Sequence, residues 1–232
     1  MKLINIKEIK GKIVLKSGLH IGAGDMEMKI GGTDNTVIKH PHTLEPYIPG
    51  SSFKGKVRSL LEMRSGLMAL TDGKPLSIKA LAKCSDPKQK TEGDSIIKLF
   101  GTSGADEDAL GQYGSSRASF ADAYLSEQWR KIADERQWPL TEVKSENSIN
   151  RIRGTAENPR FTERVPAGAE FRFCISLKKI DGDEDLESFL MEGLKLLQMD
   201  ALGGSGSRGY GKVELVFDDE QEQKAFDVAS PL

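Results

Sequence analysis

The strongest constraint on this chain is where a glycine-rich stretch falls: Leu202-Gly-Gly-Ser-Gly-Ser-Arg-Gly-Tyr-Gly-Lys212. Just before it, Leu186, Phe189, Leu190, Leu194 and Leu197 share one face of a helix that Asp183 or Asp185 can cap. Just after it, Val213, Leu215 and Phe217 alternate as a strand. The stretch therefore runs from helix to strand. Gly204, Gly206 and Gly209 fit G-x-G-x-x-G, and Gly206, Gly211 and Lys212 fit the G-x-x-x-x-G-K of a Walker A loop. Both fingerprints require a strand before and a helix after, and Val213 stands where a Walker Ser or Thr would hold magnesium. Neither nucleotide reading survives. What remains is a run of backbone N–H groups beside Arg208, which suits a polyphosphate chain.

The rest of the chain extends the pattern. Residues 4–16 alternate as a first strand, with a bulge expected at Gly11. Residues 17–50 form a long connection containing glycine and proline, of the kind that carries function. Ser51 or Ser52 can then cap a helix whose buried stripe is Phe53, Val57, Leu60 and Leu61. A short strand is expected over Phe120–Tyr124, and Phe171, Phe173, Ile175 and Leu177 alternate as another. The order is strand, helix, strand, strand, helix, strand: an α+β, ferredoxin-like (βαββαβ) fold, RRM-like in outline. One domain is expected. Its main body is residues 1–65, 116–144 and 166–217, and a hairpin or arm protrudes at about 145–165. A partly mobile lid insertion, about 66–115, carries the apolar knot Ile96–Phe100. Residues 218–232 form a solvated acidic tail.

Composition narrows the function. Hydrophobic residues make up 38% and charged residues 29%, within the globular range. No window holds an 18-residue apolar run, so no membrane partner is expected. The N-terminus alternates too early for a signal peptide. Cys84 and Cys174 stand alone, without a C-x-x-C pair, which fits a reducing, cytoplasmic setting. The net charge of −2 requires any nucleic-acid site to be a local basic patch.

Two such patches occur. Gly50 to Arg64 holds Lys54, Lys56, Arg58 and Arg64 against one acid, Glu62; either a phosphate-tracking surface or an ordinary solvated helix face would look like this. In the arm, Asn150, Arg151, Ile152 and Arg153 alternate, which would set both arginines on one strand face and the isoleucine on the other; either a wedge into nucleic acid or a solvated hairpin would look like this. Asp34, in Gly31-Gly-Thr-Asp-Asn35, can hold a hydrated metal ion when substrate phosphates complete its shell, or can close a turn. His40 and His42 lack a third metal ligand. His20 opens the Gly22-Ala-Gly24 loop, where it can touch a phosphate, stack on a base or serve structure alone. No catalytic triad or glycosidase-type carboxylate pair is recognisable. Aromatic content of 6% is too sparse for base stacking on the sheet.

Taken in order, several segments resemble the RAMP superfamily. They are Leu19-His-Ile-Gly-Ala-Gly24, Gly32-Thr-Asp34, Ile48-Pro-Gly-Ser-Ser-Phe-Lys-Gly-Lys-Val-Arg58, Glu146-Asn-Ser-Ile-Asn-Arg151, Asn158-Pro-Arg160 and the glycine loop. The resemblance is nearest to the backbone subunits of type III-A CRISPR (Csm) effector complexes, and it covers about half the chain. It implies a palm that binds guide RNA (crRNA) and copies stacked in a helical filament. It further implies thumbs that interrupt the guide–target duplex and cleavage of complementary single-stranded target RNA at regular steps. Asp34 would be the catalytic carboxylate, with Mg2+ or another divalent metal held jointly with RNA phosphates. RNA contacts would come from His20, Ser51, Ser52, Lys54, Lys56, Arg58, Asn150, Arg151, Arg153, Gly203, Gly204, Gly206 and Arg208. Further partners would be the large, small and guide-end capping Csm subunits, in a prokaryotic cytoplasm. Thr36 departs from the family, where proline is common. A purely structural guide-binding subunit, and the related type III-B backbone, remain alternatives.

Overall fold

The computed structural model describes residues 2–24, 35–102, 111 and 113–232. A sheet of six strands carries the fold. They are β1 (Leu3–Leu15), β2 (Tyr47–Ile48), β3 (Ala118–Phe120), β4 (Ala123–Leu125), β7 (Glu170–Ile180) and β8 (Val213–Phe217), in the order β2-β4-β7-β1-β8 with β3 also on β7. All pairings are antiparallel. Helix α1 (Gly50–Arg64) follows β2, and α5 (Leu186–Met199) joins β7 to β8, which completes the βαββαβ path. A separate hairpin, β5 (Glu142–Ile149) with β6 (Ala156–Arg164), is the thumb; it starts three residues earlier than expected.

Alternation decides which face is covered. Ile9, Ile13 and Leu15 of β1 and Phe171, Phe173, Ile175 and Leu177 of β7 are buried under α1 and α5. The two helices cross at Gly193, where a Cβ would sit 2.8 Å from both Val57 and Leu61 side chains. Phe53 stands edge-on to Phe173 with ring centres 5.9 Å apart, so the α1 stripe reads straight onto the sheet. Gly11 is no bulge. Its register with Phe173 and Phe217 is regular, and the irregularity of β1 lies between Leu3 and Asn5. Glycine is there because a side chain would strike the Phe173 ring and the Val216 carbonyl.

Caps differ from expectation in one place. Asp185 caps α5 by accepting from Ser188 N at 3.0 Å, while Asp183 pairs with the buried Arg117. At α1 the N-cap position is Pro49, so Ser51 and Ser52 lie inside the first turn and cap nothing. Asp122 takes over that role, accepting from Gly50 N at 2.7 Å. It can do so because the expected strand over Phe120–Tyr124 is split into β3 and β4, with Asp122 in the gap.

Two regions are more ordered than their composition suggests. In the described part of the lid, α2 (Ile78–Leu81) and α3 (Pro87–Phe100) bury Leu81, Ile96, Ile97, Leu99 and Phe100 in the main core. Asp86 and Pro87 give α3 its cap and first residue. Residues 218–232 are not a solvated tail. Asp219 caps α6 (Glu220–Val228), and Phe226 packs on Phe217 with ring centres 5.0 Å apart. Acidic residues at the start of that helix complement its dipole. A further helix, α4 (Glu127–Glu135), is capped by Ser126 and buries Trp129. No helix among the described residues is long and apolar enough to cross a membrane.

Candidate nucleic-acid interface

The loops that matter meet at one end of the sheet, where Leu15 pairs with Val213 and Val14 with Glu170. β1 exits there into His20, the glycine loop enters β8 there, and the thumb descends into β7 there. Gly203 is central to this meeting. Its φ is +73°, and a Cβ would collide with the His20 carbonyl oxygen, so only glycine lets the two chains touch. Gly204 N donates to that same carbonyl at 2.9 Å. His20 Nδ1 is 2.7 Å from the Glu163 carbonyl of β6, which fixes the ring against the thumb root. The geometry thus brings His20, Gly203 and Gly204 together. Asp34 lies outside the described residues. Its neighbour Asn35 bridges to Thr162 and accepts from Glu163 N at 2.9 Å, so the chain after position 34 is fastened to the thumb root.

The glycine loop itself is a socket more than a cradle. Its N–H groups at Gly209, Tyr210 and Gly211 bond Gly206, Ser205 and Gly18 carbonyls, which leaves fewer free donors than the sequence suggested. Gly206 opens a short 3-10 turn, Gly206–Arg208, packed near Ala201. Lys212, the lysine of the Walker-like match, donates to the Met199 and Asp200 carbonyls and so caps α5. Arg208 is not a free phosphate grip in this state: its Nε lies 3.1 Å from Glu146 of β5, and its guanidinium also bonds Ser205. Tyr210 is completely buried against the paired thumb strands, with Lys144 Nζ 4.6 Å and the Arg164 guanidinium 5.1 Å from its ring centre. Burial first, then the neighbouring Glu146 carboxylate, raises its pKa, although its hydroxyl makes no well-formed hydrogen bond. Nothing in the motif reading pointed to Tyr210. A lone aromatic within a glycine loop was the available signal.

On α1 the expected basic surface resolves into unlike roles. Arg58 turns inward: Nε donates to Glu62 at 2.7 Å and Nη2 to the Leu76 carbonyl at 2.7 Å, while Glu62 accepts from Leu76 N at 3.0 Å. The pair clamps both backbone groups of Leu76 and pins the lid to α1. The reason is spacing: an i, i+4 arginine–glutamate pair forms readily on a helix, and here Glu62 is buried and Arg58 half-buried. Lys56 pairs with Asp200 at 2.6 Å, tying the second turn of α1 to the start of the glycine loop. Arg64 pairs with Glu192 at 2.5 Å. Lys54 alone of the four has no ion pair or hydrogen bond among the described residues. Burial, then the Arg58 charge beside it, lowers its pKa below that of a free lysine. An anion placed there would relieve both effects. Ser51 and Ser52 flank it with no side-chain hydrogen bonds among the described residues.

The thumb tip also departs from the expected alternation. Residues 151–153 form a turn rather than a strand. Asn150 builds that turn, its Oδ1 accepting from Ile152 N and Arg153 N at 3.0 Å each and its Nδ2 donating to Glu157. Asn150 is thus a turn former, engaged on both sides of its amide. Ile152 is 98% exposed, and Arg151 and Arg153 make no ion pairs among the described residues. An apolar tip flanked by free cations can enter a stacked nucleic acid.

No group of three or more His, Cys, Asp or Glu among the described residues can hold a metal ion. A carboxylate at this junction, that of Glu163, is engaged: it accepts from Val37 N, Lys39 Nζ and Thr141 Oγ1. The described residues by themselves therefore offer no set of ligands that would hold a metal ion.

A ferredoxin-like palm with a thumb hairpin rooted on a glycine loop defines a class, and comparison identifies it. The RAMP superfamily pattern matches residues 12–214. Proteins named CRISPR system Cms endoribonuclease Csm3 are similar over most of the chain. The one from Methanothermobacter thermautotrophicus is 41% identical over 218 residues, covering 89% of this chain and 82% of its own. The one from Streptococcus thermophilus is 41% identical over 214 residues, covering 89% and 85%. The chain belongs to the RAMP superfamily and, within it, to the Csm3 endoribonuclease family. Among solved structures, the Methanopyrus kandleri Csm3 crystal structure matches with a TM-score of 0.58 and 25% identity, covering 94% of this chain and 78% of that one. A Csm3–Csm4 subcomplex of the type III-A interference complex matches at 0.53 and 27%, covering 93% and 77%. A type III-B Cmr-beta apo state, at 0.58 and 15% identity, shares the fold.

Proposed function

We propose that this chain is a guide-RNA-binding backbone subunit of a type III-A CRISPR complex that also cleaves complementary single-stranded target RNA at regular intervals. The observation that carries the reading is the attachment of Asn35 to Thr162 and Glu163, which joins the Asp34 loop to the root of the thumb. A thumb that breaks the guide–target duplex would then deliver the distorted nucleotide beside the carboxylate. Guide RNA would run past His20, Gly203, Gly204 and Lys54, where contacts go to phosphates and backbone and carry no sequence information. Target choice falls to base pairing. Copies of the chain stack along the guide, with other Csm subunits at the ends.

Cleavage follows from geometry. The target's own 2′-hydroxyl attacks the adjacent phosphorus in line, closing a 2′,3′-cyclic phosphate as the bond to the next nucleotide's 5′-oxygen breaks; the hydroxyl proton passes to solvent, solvent protonates the leaving oxygen, and thumb insertion supplies the alignment. Asp34 would orient that hydroxyl or would hold a divalent ion together with the RNA phosphates. Such an ion, when bound, would stabilise charge on the phosphate. The test is reconstitution with guide and complementary RNA, with and without magnesium. Asp34→Ala should leave assembly and target binding intact and abolish cleavage; equal cleavage by the variant removes the assignment. A wild-type complex that binds target but never cuts it would favour a purely structural subunit.

A further inference from the structure

Glu163 draws together more of the functional end than any other described residue. It is 7% exposed, and its carboxylate has three donors from three places: Val37 N at 2.9 Å, Lys39 Nζ at 2.6 Å and Thr141 Oγ1 at 2.7 Å. Its backbone adds two more links, N to the Asn35 carbonyl at 2.9 Å and the carbonyl to His20 Nδ1 at 2.7 Å. One residue of β6 thus holds the limb leaving position 34, the exit of β1 and the entry to β5. Its oxygens are engaged and buried, so it is not itself available to substrate. A buried acid serving only the core would need one cation; this one reads two backbone N–H or C=O groups of the same loop limb, two residues apart.

We infer that Glu163 is a positioning residue: it sets where the limb 35–39 stands against the thumb root, so that cleavage depends on it while RNA binding does not. The inference rests on the cleavage reading above. Two bonds from that limb, Val37 N and Lys39 Nζ, and one from Thr141 beside the thumb converge on one carboxylate, and Asn35 follows Asp34 directly in the chain. Loss of the carboxylate frees Val37 N, Lys39 and Thr141 together. The limb then samples several positions, and the reactive alignment is populated for a smaller fraction of the time. Supporting groups of this kind typically alter rates by about 10–100-fold when removed.

The experiment uses the complex assembled with guide RNA. Glu163→Gln and Glu163→Ala are compared with wild type for single-turnover cleavage, target affinity, melting temperature and amide hydrogen exchange at residues 35–39. The expected result is a cleavage rate lowered on the order of tenfold or more in Glu163→Ala. Glu163→Gln should fall between, since its carbonyl still accepts one bond. Target affinity should stay within about twofold, and exchange at Val37 should accelerate on the order of tenfold. If the alanine variant does not assemble, Thr141→Val removes one donor and should lower the rate about threefold with unchanged affinity. Variants that cleave like wild type overturn the inference alone. Equal losses of binding and rate overturn it too, because they mark a merely structural residue. A wild-type complex that does not cleave overturns the cleavage reading and this inference with it.

Discussion

Tyr210 offers the sharpest test of the socket. Its ring is fully buried and has Lys144 and Arg164, one from each thumb strand, close to its face. Tyr210→Ala removes that ring from a site the thumb cannot readily refill. Large buried aromatics cost about 3–5 kcal/mol on truncation to alanine. Each cation over the ring adds about 0.5–1 kcal/mol where partly exposed. The working figure is therefore about 4–7 kcal/mol. For a chain of this size each kcal/mol moves the melting temperature by about 2–4 °C, so a fall of at least roughly 8 °C is expected by calorimetry. Tyr210→Phe is the control: the hydroxyl makes no well-formed bond, so its removal should cost nothing measurable. The thumb's share comes from a double-mutant cycle with Arg164→Ala, where a coupling of about 0.5–1 kcal/mol is expected. A fall below about 3 °C for Tyr210→Ala would refute the cavity argument, and zero coupling would refute the claim that the ring anchors the thumb.

Other predictions separate residues that the sequence grouped together. Lys54→Ala should leave stability unchanged and reduce the salt slope of guide binding by about 0.7, the single-strand value for one phosphate; an unchanged slope places the phosphate elsewhere. Arg58→Ala should instead destabilise the chain by about 3 kcal/mol, read by urea midpoint, because it strands the buried Glu62. Phe226→Ala should cost about 3–5 kcal/mol in the same assay, whereas a solvated tail would show no change. For Glu163, burial pushes the carboxyl pKa up, but the bonds from Lys39, Thr141 and Val37 outweigh it and leave it below the ordinary 4.5. A depressed folded pKa adds stability above the unfolded value and loses it as pH falls through the folded one. Denaturation midpoints of wild type and Glu163→Gln should therefore converge below about pH 4.5, and a pH-independent gap would contradict the linkage.

How much was legible depended on whether a signal was local. The palm was: Phe171 to Leu177, the α1 stripe and the α5 stripe are period-2 and period-3.6 patterns, and they placed strands and helices on one another correctly. Partnering was not. Arg58 and Lys54 lie four residues apart on the same helix, and only the distant Leu76 shows that one turns inward. Arg208 and Glu146 are far apart in sequence, so their pairing across the socket left no trace in either segment. The 218–232 segment was misread because acidity outweighed one phenylalanine, although Asp219 before Glu222 is a cap signal in its own right. In the arm, alternation suggested a strand through Ile152, but the Asn150 side chain closes a turn there that periodicity cannot see.

The rooted thumb has a mechanical consequence. At about 3.3 Å per residue, the eight-residue strand Glu142–Ile149 is an arm roughly 26 Å long. A tilt of about 5° at its base would swing the tip by about 2 Å, comparable to the misplacement that ruins alignment for in-line attack. Angular stiffness at Tyr210, Arg208 and Glu163 is thus converted into linear precision at Ile152. A backbone that measures out RNA in equal steps would owe the sharpness of its rule marks to the fulcrum as much as to the tip that touches the strand.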